Sequence, residues 1–208
     1  MRRALIGLGF TLAACGGGGD DTARLEAPTL TGKDSAALSS EIAAYEGYSA
    51  EPTVTLPSGT ATYRGYLVLT QSRPGTATLE IAGERIETEV PAYYTAAGEA
   101  ALTVDFTNNR IAGQAGGFQA GLVELSRDPL AGVAPVAGQV DLSAEGFDGA
   151  SVLLTASGDI TLDGVSQGLD TTLDGTFYGA GAEALGAEGD AILATSGGFD
   201  VFLGALAE

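Results

Sequence analysis

The chain has 208 residues, and its 45% of hydrophobic residues is too many for an acid-rich disordered protein. Nine Lys and Arg against 27 Asp and Glu give a net charge of −18, which would repel a phosphate backbone, so nucleic-acid binding is excluded. With no histidine and one cysteine, the chain cannot build a Ser-His-Asp triad, a Cys-His dyad, a structural zinc site or an intramolecular disulfide.

The first fifteen residues contain a short basic segment, an apolar run and the cysteine. Arg2 and Arg3 precede apolar residues 4–12, which as a helix would reach only about 14 Å, well short of a hydrocarbon core of ~30 Å. The run ends in Leu-Ala-Ala-Cys, which resembles a lipobox, the signal for lipidation of the cysteine and cleavage before it. We predict a signal peptide over residues 1–14 and a lipidated Cys15. An ordinary signal peptide with an unmodified cysteine is the alternative.

Three acyl chains on Cys15 would anchor the protein stably, because two membrane-binding elements, such as two lipid chains, are already sufficient. Loss of residues 1–14 would also remove two arginines, so the mature chain would carry a charge of 7 − 27 = −20. The residue after the cysteine is Gly16. An Asp at that place retains lipoproteins in the inner membrane of enteric bacteria, so its absence favours the outer membrane, on the periplasmic or cell-surface side.

Residues 15–57 are predicted to form a lipidated tether and a short helix. Residues 16–31 are glycine-rich, then acidic and without apolar periodicity, as is typical of a flexible linker. Asp34 can cap a helix that Gly47 would end, and the apolar residues between them recur at helical spacing: Leu38, Ile42 and Tyr45. We therefore expect a helix near residues 35–46 that packs one apolar stripe against the main domain.

From Thr60 onwards, apolar and polar residues alternate with period two, and glycines separate the runs. Such closely spaced strands predict an all-β fold, a single soluble antiparallel β-barrel of about eight strands over residues 58–208. The later predicted strands are 140–143, 151–156, 159–163, 172–178, 191–195 and 199–206. A membrane-spanning barrel is the alternative. The absence of Trp, the 14 Tyr and Phe residues and the shortness of several runs disfavour it.

The most specific motif is the run Asp-Gly-Thr-Phe-Tyr-Gly-Ala-Gly-Ala-Glu-Ala-Leu-Gly over residues 174–186. It resembles the G-x-F-Y-G-P-x-A-x-E-x-x-G signature of the barrel domains of transferrin-binding protein B and of transferrin-binding-protein-like solute-binding proteins, with Ala180 in place of Pro. Factor H-binding protein and hemophilin-type haem carriers have a related barrel. Residues 61–66 and 102–113 resemble the opening strand and a hairpin of the same family. Transferrin-binding protein B has two lobes, and this chain has room for one barrel.

The resemblance implies a lipoprotein that binds a solute or a partner protein through its barrel. In the signature we expect a sharp turn at Gly179 and Gly181. One helical turn over residues 182–185 would follow, with Glu183 near its positive end. Such a motif would close a barrel and would not catalyse a reaction.

Tyr93 and Tyr94 are the candidate ligand-binding residues. We expect them on a loop between the early strands, where two adjacent aromatic rings can form a recognition tip, since aromatic residues dominate binding hot spots. A tyrosine can also ligate ferric haem. The alternative is that one ring covers the end of the barrel while the other faces solvent.

The resemblance thus implies a binding protein, and the residues predict that it has no enzymatic activity, no cofactor or metal and no high-affinity haem site. Its strong negative charge favours a basic protein partner or a cationic solute, recognised by the loops of the barrel. A structural envelope lipoprotein that has no small-molecule ligand is the alternative function.

Overall fold

The computed structural model describes residues 25–81, 84–124, 130 and 132–208. The predicted signal peptide, Cys15 and the first part of the predicted tether lie outside the described residues.

The predicted helix is confirmed as α1 (Ser35–Glu46). The side chain of Asp34 caps it by accepting a hydrogen bond of 2.9 Å from the backbone N–H of Ala37, and the chain leaves the helix at Gly47. Leu38 and Ile42 are buried against the barrel. No helix within the described residues has the length and apolar character to cross a bilayer.

Ten strands follow, of which eight form a closed antiparallel barrel in the order β1-β2-β3-β5-β7-β8-β9-β10, with β10 paired to β1. The two-residue strands β4 and β6 pair with β3 and β7. The strands are β1 (Thr60–Ile81), β2 (Glu84–Asp105), β3 (Arg110–Glu124), β4 (Ala134–Pro135), β5 (Gly138–Glu145), β6 (Phe147–Asp148), β7 (Ser151–Leu162), β8 (Val165–Tyr178), β9 (Ala184–Leu193) and β10 (Gly197–Ala207). The predicted all-β class and eight-stranded barrel are confirmed.

The strands are longer than the sequence pattern predicted. The predicted strands 151–156 and 159–163 are one strand, β7, because Gly158 does not turn the chain. It lies where the backbone of β5 comes close, and a Cβ there would overlap the carbonyl oxygen of Gln139. Seven of the eight barrel strands have ten residues or more, so strand length does not argue against a membrane-spanning barrel.

The polarity of the barrel does argue against one. On β5, Val140, Leu142 and Ala144 point into the core, and Asp141 and Ser143 between them are exposed. A spanning barrel has the reverse arrangement, with an apolar band outside. The interior is filled by one continuous cluster of buried side chains, and one end is closed by aromatic rings: Tyr63, Phe106, Phe147 and Phe177.

The last part of the predicted tether is docked on the outside of the barrel and is not a free linker. Glu99 of β2 is only 1% exposed because residues 31–33 cover it. Its carboxylate accepts hydrogen bonds from the backbone N–H and hydroxyl of Thr31, at 2.8 and 2.7 Å, and from the N–H of Gly32 at 2.8 Å. The guanidinium of Arg64 lies 3.5 Å from the same carboxylate. Sequence periodicity missed this contact because it joins residues 68 positions apart.

The electrostatic balance at Glu99 favours the charged form. Burial by itself would raise the pKa of this carboxyl, but the hydrogen bonds from Thr31 and Gly32, together with the charge of Lys33, hold it below the ordinary value of 4.5. Because folding lowers this pKa, the stabilising contribution is complete above pH 4.5 and is lost as the pH falls through the folded value.

We expect Glu99→Gln to lower the free energy of unfolding by about 2 kcal/mol at pH 7, since charge-assisted hydrogen bonds are lost in a buried place. The difference from the unsubstituted protein should shrink as the pH is lowered below 4.5, because protonation removes the same charge. Urea unfolding at pH 7 and pH 3.5 measures both, with the exposed Glu145→Gln as the control. An undiminished difference at low pH would contradict this account.

Candidate functional site

A groove of about 1030 Å³ lies on the outside of the barrel, and we call it the outer groove. It crosses the outer faces of β7, β8, β9, β10 and β1 and reaches Thr95 of β2, and α1 and β6 also contribute to its lining. Its lining includes Tyr45, Glu46, Tyr66, Phe147, Asp148, Leu153, Asp174, Tyr178, Gly186, Glu188 and Phe202. Because the barrel interior is filled, this groove is a site at which a ligand can be accommodated without unfolding the core.

Small residues allow α1 to form a close wall of the outer groove. Tyr45 at the end of the helix lies over Gly186 and Gly204, where a Cβ would come into conflict with its ring or hydroxyl. The same ring meets Tyr66 edge-on, with the ring centroids 5.8 Å apart. The two glycines therefore fix the position of the helix against β9 and β10.

The outer groove is negatively charged. Glu46, Asp148, Asp174 and Glu188 line it, and no Lys or Arg lies among its described lining residues. Asp174 and Glu188 are directly opposite each other on β8 and β9. Like charges in such a cross-strand pair destabilise a sheet, and a bound cation between them would relieve the repulsion. The arrangement is suited to a positively charged group.

Apolar and aromatic side chains lie beside these carboxylates. Phe202 of β10 and Leu153 of β7 are exposed large hydrophobic residues within the groove, and each is the direct register partner of an acidic residue, Glu188 and Asp174 respectively. A cation that also carries an apolar part can therefore use both, through ion pairing and through contact with the ring.

Tyr45 and Tyr66 of the groove stay neutral at physiological pH. Burial raises the pKa of Tyr66, and the nearby Tyr45 and Glu46 raise it further. Burial, followed by the neighbouring Tyr178, also raises the pKa of Tyr45. These two tyrosines therefore add no negative charge to that of the carboxylates.

The expected loop placement of Tyr93 and Tyr94 is wrong. Both lie on β2, where neighbouring side chains point to opposite faces of the sheet, so Tyr93 is exposed and Tyr94 is buried in the core. The sequence Val-Pro-Ala before them reads as a loop, but Pro91 is accommodated in the strand opposite Pro74. Neither tyrosine lines the outer groove.

Tyr94 takes part in a polar network at one end of the barrel. The guanidinium of Arg73 lies 4.4 Å from the centroid of the Tyr94 ring and 3.1 Å from the carboxylate of Asp163. Burial is the main cause of the raised pKa of Tyr94. A raised pKa disfavours the tyrosinate that would ligate ferric haem.

The family-like signature adopts a turn and a strand, without the expected helical turn. Residues 179–182 form the turn, and β9 already begins at Ala184. Gly179 has φ +86°, and the carboxylate of Glu183 beside it accepts a hydrogen bond of 3.2 Å from the hydroxyl of Tyr48. Gly186 is the contact for Tyr45. The signature thus fastens the segment after α1 to the barrel, and no helix dipole acts on Glu183.

Sequence reasoning missed the outer groove because its residues come from α1 and seven strands. In the sequence, Asp174 stands out only as the first residue of the signature, and nothing singles out Glu188. Asp174 and Glu188 are brought together only by the register between β8 and β9. That register cannot be read from a single sequence. Among the described residues, no group of three or more Asp, Glu, His or Cys is placed to hold a metal ion.

Comparison with known proteins gives a loose structural similarity. No protein-family model matches the chain, and no curated protein matches it. A solved structure described as the crystal structure of a surface lipoprotein is similar to it with 16% identity and a TM-score of 0.37, over 76% of this chain and 65% of that one. This chain therefore spans just under two thirds of that protein, and the resemblance to the transferrin-binding protein B family stays a prediction.

We expect Gly186→Ala to destabilise the protein by about 1–3 kcal/mol, because the added methyl group would overlap the hydroxyl of Tyr45. In a Tyr45→Phe background that hydroxyl is absent, and the nearest ring atom lies 3.3 Å from the position of the added Cβ. Gly186→Ala should then cost clearly less. Thermal unfolding of the four variants gives the coupling between the two positions. Equal costs in both backgrounds would show that α1 is not docked through this contact.

Proposed function

We propose that this protein is a bacterial lipoprotein of the outer membrane or cell surface that captures a cationic ligand in the outer groove. The observation that carries the proposal is the lining of the groove, which combines four carboxylates and exposed apolar side chains and, among the described residues, contains no basic side chain. The mature chain's charge of 7 − 27 = −20 adds a long-range attraction for any positively charged molecule. The ligand is a basic segment of a protein or a cationic solute with an apolar part.

The proposal includes no catalysis and no cofactor. Ligand recognition uses ion pairs with Asp174 and Glu188 and apolar contact with Phe202, and none of these steps breaks a bond. The signature of residues 174–186 supports assignment to the transferrin-binding-protein-like barrel lipoproteins, because its glycines and Glu183 make specific contacts in this fold.

Binding should depend on the groove and not only on overall charge. The probe is a Lys-Phe-Lys-Phe peptide, with tetralysine as the purely cationic comparison, in isothermal titration calorimetry. Asp174→Asn and Glu188→Gln should each weaken binding of the probe about fivefold, equivalent to ~1 kcal/mol, and added salt should weaken it further. Phe202→Ala should weaken the Phe-containing peptide more than tetralysine.

The control for charge is Asp141→Asn, which removes one outward carboxylate on β5, outside the groove. If it weakens binding as much as Asp174→Asn does, attraction is diffuse and the groove is not the site. A second candidate, a structural envelope lipoprotein without a ligand, is favoured by the filled interior of the barrel. Native mass spectrometry of protein from its own cells, showing neither ligand nor partner, would support that candidate.

Membrane attachment should depend on one residue. In its native host, Cys15→Ser should release the protein from the membrane fraction, because no thiol remains to receive the diacylglycerol. Mass spectrometry of the unsubstituted protein should show a lipidated N-terminus at residue 15. Gly17→Ser is the matched control and should stay in the membrane fraction. An uncleaved N-terminus, or a Cys15→Ser variant that still fractionates with membranes, would contradict the anchor.

A further inference from the structure

The first hairpin extends well beyond the barrel. β1 pairs with β10 only up to Thr70, and β2 pairs with β3 only from Ala92, but β1 and β2 stay paired with each other as far as Ile81 and Glu84. We call residues 72–81 and 84–91 the arm. At 3.3 Å per residue it projects about 30 Å. Within the described residues, the outer edge of neither arm strand has a strand partner.

A two-stranded ribbon of this kind is only marginally stable in water, and three or more strands are needed for independent stability. A free edge is also a template for pairing with another chain. Each edge is interrupted once, by Pro74 on β1 and by Pro91 directly opposite it on β2, since proline has no N–H to donate. Beyond Pro91, residues 84–90 of β2 contain no further proline and carry charges of both signs, so we consider the β2 edge as the one that accepts a further strand.

The side chains of this edge are complementary to a second copy in one antiparallel register. With Ile86 opposite Ile86 of the other copy, Arg85 of each chain faces Glu87 of the other. Within the described residues neither Arg85 nor Glu87 has an ion-pair partner, and Ile86 is 44% exposed. A shift by one residue in each copy would place Arg85 opposite Arg85 or Glu87 opposite Glu87, and like charges directly opposite are destabilising. The register centred on Glu87 keeps an attraction between Arg85 and Glu89 but adds this repulsion, so the register centred on Ile86 is the more favourable one.

We propose that two copies of this protein pair through the β2 edges of their arms, centred on Ile86, to form a four-stranded sheet between two barrels. The pairing would contain two symmetric Arg85–Glu87 contacts and one Ile86–Ile86 contact, as a two-fold interface requires. It is independent of the outer groove, whose residues it does not use.

Disulfide trapping of the full chain in its native membrane tests the proposal. Directly opposite residues of antiparallel strands have Cα atoms about 4.5–5.5 Å apart, within the range that a disulfide can bridge. Ile86→Cys should therefore give a product of twice the protein mass on a non-reducing gel after mild oxidation. Leu122→Cys on β3, at a comparable 48% exposure, and the chain with its own Cys15 alone should not.

Charge exchange then tests the register. In the Ile86→Cys background, Arg85→Glu or Glu87→Arg alone should reduce trapping about tenfold, because both contacts become repulsive. Arg85→Glu combined with Glu87→Arg should restore it. No cross-link at residue 86, an equal cross-link at residue 122, a product of another mass, or failure of the double exchange to restore trapping would each overturn the proposal.

Discussion

Closure of the barrel by the pairing of β10 with β1 determines where on this protein a ligand or partner can be recognised. Once β1 is paired on both sides, every inward position must be filled, and the inward residues are mostly Leu, Val, Ala and Phe, packed into one cluster. Close-packed interiors have no room for a ligand without loss of stability. Recognition is therefore left to the outer faces of the strands, where the outer groove lies, and to the arm, where β1 and β2 continue beyond their neighbours.

The segment before the barrel makes a groove out of a convex surface. The outside of a barrel curves away from a ligand, so a concave site needs an added wall. Here α1 supplies it, held by Tyr45 on Gly186 and by the hydrogen bonds that Glu99 accepts from Thr31 and Gly32. Asp174 and Glu188, which give the groove its charge, thus lie in a different part of the chain from Tyr45 and Glu99, which hold its wall in place. Loss of the hydrogen bonds that Glu99 accepts would loosen α1 and so change the shape of the groove.

The sequence predicted the fold well because its signals are local. Alternation along each strand, the Asp34 cap and the Leu38–Ile42 spacing report directly on the secondary structure that formed. The site was not predictable in the same way. Asp174 and Glu188 become a pair only through the register of β8 and β9. Tyr94 lies in the core because β2 continues through Pro91, so that Tyr94 is a strand residue and not part of a loop. Both outcomes depend on contacts between strands, which a pattern along a single strand does not contain.

The high negative charge and the proposed pairing of two copies are compatible because of the length of the arm. Two chains of charge −18 repel each other at short range. In the register centred on Ile86, the point where each arm leaves its barrel, at Ala92, is separated from the same point of the other copy by twelve residues, or about 40 Å. The Debye length at physiological ionic strength is about 8 Å, so the barrels are largely screened from each other. The electrostatic interaction that remains is the local one between the two arms, where Arg85 of one copy lies opposite Glu87 of the other and attracts it. The arm thus joins two acidic barrels at a distance at which their charge no longer opposes association.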